Sequence, residues 1–95
     1  MISLEDCIAL SGLDEDEILA IAEHEHIPEI AAAALGNYLM HEHRGVEVVR
    51  NMIADDIRDA LARGDDRHAW HLVMALRHFL SENAVVLEDP LLSGR

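Results

Sequence analysis

Apolar positions recur along this chain at helical rather than strand spacing. Between Val46 and Arg63, the residues Val46, Val49, Ile53, Ile57, Ala60 and Leu61 fall on one side of a helix, and Glu47, Arg50, Asn51, Asp55, Arg58 and Asp59 fall on the other. That period predicts an amphipathic helix over about 46–63. A second one is predicted over about 66–82, packing through Ala69, Leu72, Val73, Leu76, Phe79 and Leu80. Its opposite face carries His68, His71, Ala75, His78 and Glu82 in one line, a row expected to face solvent. Over about 15–26 the apolar stripe is Ile18, Leu19, Ile21 and Ala22, and one further turn is expected to bring Glu25 and His26 to the core side, with Glu23 on the Leu19 flank.

The stretch from Ile30 to Met40, IAAAALGNYLM, is different: apolar on nearly every side, with Asn37 as its one clearly polar residue. A helix of that kind in a soluble chain must be covered, so the other helices are expected to wrap it. Ala32 and Gly36, four residues apart, would let another helix come close. With Leu39 and Met40 they form the expected interaction face, because so much apolar surface exceeds what a small domain usually hides.

Punctuation residues divide these helices. Ser3 followed by Asp6 starts a short helix over about 4–10, which Gly12 stops. Asp14 and Glu17 have the spacing of a capping box, and Pro28 ends one helix and suits the first turn of the next, placed over about 28–43 with Gly45 as its stop. Asp59 and Arg63 form an i,i+4 pair, Gly64 reads as a helix stop, and Asp65 or Asp66 as the next cap. Asp89-Pro90 cannot continue a helix, so residues 84–95 are expected to form an extended tail with Leu91 and Leu92 free to dock on a neighbour. The prediction is one all-α domain over residues 1–95: a small antiparallel bundle of four principal helices plus a short N-terminal helix.

Composition narrows the function. Tyr38, Trp70 and Phe79 are the only aromatic residues, so the core must come from Leu, Ile, Val, Ala and Met, which suits helix packing better than a sheet. Nineteen acidic residues, seven arginines and no lysine give a charge of −12, which argues against nucleic acid as a partner and allows a basic protein. The single cysteine, Cys7, excludes an intrachain disulfide and fits a reducing compartment. Set among Leu4, Ile8 and Leu10, it reads as a buried, inert thiol. Glu5 and Asp6 stand where a signal peptide would carry positive charge, and no apolar run approaches the roughly 18 residues of a membrane span. The expected location is the cytoplasm, with no membrane partner.

No catalytic motif is present, so any chemistry rests with the seven histidines. Glu23-x-x-His26 has the spacing by which one helix face offers a carboxylate and an imidazole to the same metal, and it resembles half of a ferritin-like site. A homodimer would supply the second half by symmetry, with Glu42 or Glu47 as bridging carboxylates. His68-x-x-His71 places two further imidazoles on one face, two ligands short of a closed zinc site. A divalent metal is thus the one cofactor these residues could hold, and none is expected otherwise. The ordinary alternative has His24, His26, His41 and His43 in last helical turns, favoured there by the helix dipole. Protonating all seven would move the charge from −12 to −5 and predicts pH-dependent self-association. The leading expectation is a non-enzymatic, self-associating or protein-binding module, a homodimer or other homo-oligomer; the alternative is a metal-binding bundle with its site shared across a homodimer.

Overall fold

Three helices in this protein begin where the sequence supplies a side-chain acceptor for free backbone N–H groups. The computed structural model describes residues 3–88, wound into α1 (Leu4–Ser11), α2 (Glu15–Glu25), α3 (Glu29–Met40), α4 (Gly45–Ala62), α5 (Asp66–Glu82) and α6 (Ala84–Glu88). Ahead of α1, the Asp6 N–H donates to Ser3 Oγ (3.1 Å) and the Ser3 N–H to Asp6 Oδ2 (3.3 Å). Ahead of α2, Glu17 and Asp14 exchange the same two bonds, both 2.9 Å. Asp65 caps α5 by accepting from the His68 N–H (3.2 Å). Each such cap contributes about 1 kcal/mol.

Three helix ends pass through a left-handed residue. Gly12 and Gly64 adopt φ +76°, which costs glycine nothing. His26 (φ 57°) takes the same conformation after α2 without being glycine, and its N–H donates to the Ala22 carbonyl. The third helix stops at Met40, short of the expected residue 43. There the His41 N–H reaches the Tyr38 carbonyl (3.1 Å) and the Glu42 N–H the Leu39 carbonyl (3.0 Å), a tightening that ends the α-helical ladder. Gly45 consequently opens α4 instead of closing α3.

The tail expectation is corrected over 84–88. Asn83 breaks α5, its side-chain amide donating to the Phe79 carbonyl (2.8 Å), and the chain coils once more as α6. Val86 and Leu87 pack against the core, and that burial outweighs the nearby proline. Residues 89–95, including Leu91 and Leu92, lie outside the described residues.

The core is aliphatic apart from Phe79. Ile18 and Ile21 of α2, Ala32 and Ala33 of α3, Val49 and Ile53 of α4, and Leu72 and Phe79 of α5 are buried together. Full burial of each large side chain contributes about 1.5 to 3 kcal/mol. α2 packs on α3, α4 and α5, while α1 covers α3. The molecule measures 38 × 37 × 18 Å, no thicker than two helix layers of about 10 Å, so every helix keeps an outer face.

That thinness changes two sequence expectations. α3 is covered on one side only: Ala32, Ala33 and Gly36 are buried, whereas Ile30, Ala31, Ala34 and Tyr38 are exposed. Ala31 and Ala34 have too little apolar surface for their exposure to cost much. The close approach allowed by Ala32 and Gly36 is made inside the chain, since a Cβ on Gly36 would lie 2.9 Å from Leu13 and 3.1 Å from Ile18. Leu39 and Met40 pack against the same core. Leu19, Leu61 and Leu80, expected inside, are exposed, as are Glu25 and His26 at the end of α2. Among the described residues no helix is long and apolar enough to cross a membrane.

Candidate functional site

The histidine row of α5 is exposed at His71 and His78, as expected, but it also borders a second helix. It lies along α2, whose acidic residues meet it. At one end His68 Nε2 is 2.5 Å from Glu23 Oε1, and at the other His78 Nε2 is 3.4 Å from Asp14 Oδ2. Low numbers on α2 meet high numbers on α5, so the two helices run antiparallel. The nine-residue step on α2 and the ten-residue step on α5 rise about 14 and 15 Å, which keeps both ends in register. Ala20 and Ala75 are buried between them, and their small side chains allow the close approach. Two adjoining hollows follow this seam and share Asp16, His71 and Ala75; Leu19 borders one, Trp70 and Met74 the other.

Asp14, Glu17, His78 and Glu82 form the upper end. The capping box that starts α2 holds Glu17 in place, and α5 covers it to leave 2% of the residue exposed. One carboxylate oxygen of Glu17 accepts the Asp14 N–H, while the other is buried with no hydrogen-bond partner. Burial pushes the Glu17 carboxyl up to about 7; the Asp14 N–H opposes this, and the neighbouring Asp14 and Glu82 charges reinforce it. One donor atom from each of Asp14, Glu17 and His78 lies within 4.8 Å of the other two. Glu82 Oε1 is 3.4 Å from the same His78 nitrogen.

Glu23, His24, Asp55, Asp56 and His68 form the lower end, where α2, α4 and α5 meet. Asp56 is 5% exposed, with one carboxylate oxygen buried and unpartnered. Burial lifts its carboxyl to about 7, and the charge of nearby Glu23 adds to the rise. Glu23 itself keeps one unpartnered buried oxygen while the other meets His68. His24 lies 2.7 Å from Glu25 and 3.1 Å from Asp55; burial works against its charge, but these two contacts raise its pKa.

The sequence-derived metal candidates are redistributed by this geometry. Glu23 and His26 border one cleft of about 350 Å³, together with Asp55, Asp56, Asp59 and Arg63. His26 sits on its rim in the left-handed cap position, whereas the carboxylate of Glu23 is engaged by His68. Glu23 and His68, read as members of separate pairs, therefore meet each other. His71 lies midway along the seam. Glu42 and Glu47 border a separate hollow at the α3–α4 turn, where Glu47 accepts from the Arg44 Nε–H (2.8 Å). Asp14, Glu17 and Asp56 were not among the sequence candidates. The capping-box spacing marked Asp14 and Glu17 only as a helix start, and nothing local distinguishes Asp56 from its exposed neighbour Asp55. No protein-family model, curated protein or solved structure matches this chain.

Proposed function

We propose that the protein is a non-enzymatic interaction module whose α2–α5 groove receives a cationic, amphipathic segment of a partner protein. The observation that carries this reading is Trp70, the one tryptophan, which stands 63% exposed on the groove edge beside exposed Met74. Tryptophan and methionine are enriched at interfaces because they bury a large, adaptable apolar area. Asp14, Asp16 and Glu23 rim the same groove, so an apolar stripe would be flanked by attraction for cations. A second copy fits less well, since each chain carries −12 and two would repel.

Trp70 is its own reporter. A Leu/Lys amphipathic helical peptide should shift its fluorescence to the blue, and the binding should fall as salt rises from about 0.1 to about 1 M and the Debye length shrinks from about 10 to about 3 Å. Met74→Glu and Asp16→Asn should weaken it without altering helicity. A Leu/Glu peptide that binds equally well, or variants that bind like the parent, would refute the reading. Sedimentation showing a dimer with Trp70 already shielded would assign the groove to a second copy instead.

A further inference from the structure

We infer that Asp14, Glu17 and His78 form a binding site for a divalent first-row transition ion of the zinc type, at the upper end of the α2–α5 seam. The site shares Asp14 and His78 with the wall of the α2–α5 groove, but it does not depend on a peptide binding there, and neither Trp70 nor Met74 belongs to it.

Three observations converge. One donor atom from each residue lies within 4.8 Å of the others, with contributions from the start of α2 and the last part of α5. Ligands about 2.0 to 2.2 Å from a tetrahedral zinc stand about 3.4 Å from one another. His78 Nε2 is 3.4 Å from Asp14 Oδ2 and 3.4 Å from Glu82 Oε1, so the pocket already has the span of a coordination shell. The third observation is Glu17, 2% exposed, whose second oxygen is buried without a hydrogen-bond partner. A buried carboxylate oxygen needs a proton or a cation. A bound ion satisfies it and also offsets the mutual repulsion of Asp14, Glu17 and Glu82.

The donor set selects the ion. Two carboxylates and one imidazole suit zinc, iron, cobalt or manganese, whereas calcium and magnesium take oxygen ligands. Three protein ligands leave a coordination position for water or for exposed Glu82. Because the capping box and the α5 packing hold Glu17 in the apo chain, the site is preorganised on one side, and His78 closes it from the other. Ligation needs deprotonated carboxylates and a neutral imidazole, so uptake of the ion should release protons.

The test uses full-length, tag-free protein titrated with Zn²⁺ by calorimetry and with Co²⁺ by visible absorption. One ion per chain is expected, with a rise in Co²⁺ band intensity as the ion leaves six-coordinate water. Glu17→Gln and His78→Gln should each weaken binding at least about tenfold, a loss that even outer-shell partners of a metal carry. Asp14→Asn preserves the N-cap and should weaken it as well. Zn²⁺ should raise the melting temperature of the parent but not of Glu17→Gln, which also shows by circular dichroism whether that variant folds. His78 is exposed, so its replacement spares the core and keeps the test valid if Glu17→Gln does not fold. Unchanged affinity in His78→Gln, fewer than one ion per two chains, or loss of binding only in Glu23→Gln and His68→Gln would each overturn the assignment.

Discussion

Glu17 and Asp56 show what burial does to single charges. Both carboxyls are raised to about 7, from ordinary values of 4.5 and 3.8, and burial is the largest cause in each. A folded-state pKa above the unfolded one means that the fold holds the proton more tightly. The resulting stabilisation is complete below about pH 4 and is lost as pH rises through about 7. At about 1.4 kcal/mol per pH unit, Glu17 accounts for about 3 kcal/mol of that loss and Asp56 for about 4. His24, also raised, contributes in the same direction as it deprotonates. The metal-free protein should therefore be more stable at pH 5 than at pH 8 in urea denaturation, the reverse of ordinary acid denaturation. Glu17→Gln and Asp56→Asn should match the parent at pH 5 and exceed it at pH 8 by about 2 to 3 kcal/mol. A parent equally stable at both values would show that the two carboxyls titrate as if exposed.

Residue-scale features were only partly legible. The Asp14–Glu17 spacing announces a capping box because the partners lie within one helical turn. It does not announce that α5 will cover Glu17, since that cover comes from the far end of the chain. Asp56 sits on an amphipathic helix between exposed Asp55 and half-buried Ile57, at the edge of the apolar arc. Whether such an edge position is wet or dry depends on which neighbour leans over it.

At the scale of elements, two glycines should behave in opposite ways. A Cβ on Gly45 would stand 1.5 Å from the Leu39 carbonyl oxygen, a backbone atom that no side-chain adjustment can move. Gly45→Ala must displace the whole α3–α4 corner and should cost at least about 3 kcal/mol. Gly64 has open space around it and only its φ of +76° to object, so Gly64→Ala should cost about 1 to 2 kcal/mol. Thermal melts of the two variants would separate them clearly; equal losses would mean that the α3–α4 corner yields to the added methyl at little cost. The sequence identified both as helix boundaries, but the reason for Gly45 is a contact with another helix and is invisible locally. The same limit explains α6. Asp89-Pro90 argues against a long helix, yet one turn ahead of it forms because Val86 and Leu87 find the core.

For the molecule as a whole, charge is the governing quantity. A net −12 spread over a slab 18 Å thick produces repulsion that favours expansion. Salt should accordingly raise the melting temperature as it screens that repulsion, between about 0.1 and about 1 M, before specific ion effects intervene. A fall over that range would indicate that pairs such as Arg63–Asp59 and Arg58–Asp55 outweigh the repulsion. Their exposure makes that outcome a poor match to surface ion pairs worth about 0 to 1 kcal/mol.

The sequence alone determined the all-α class and most helix boundaries, because caps, turn glycines, Pro28 and apolar periodicity act between residues a few positions apart. It also identified the line of His68, His71, Ala75, His78 and Glu82, since one helix is enough to align them. What faces that line was decided by the tertiary structure. His68 and Glu23 are 45 positions apart, and their meeting depends on the rotation and register of α5 on α2. Those are set by Ala20, Ala75 and the shared core, and no local spacing encodes them. The same is true of α3: its apolarity is written in the chain, but which side is covered follows from a two-layer fold too thin to wrap it.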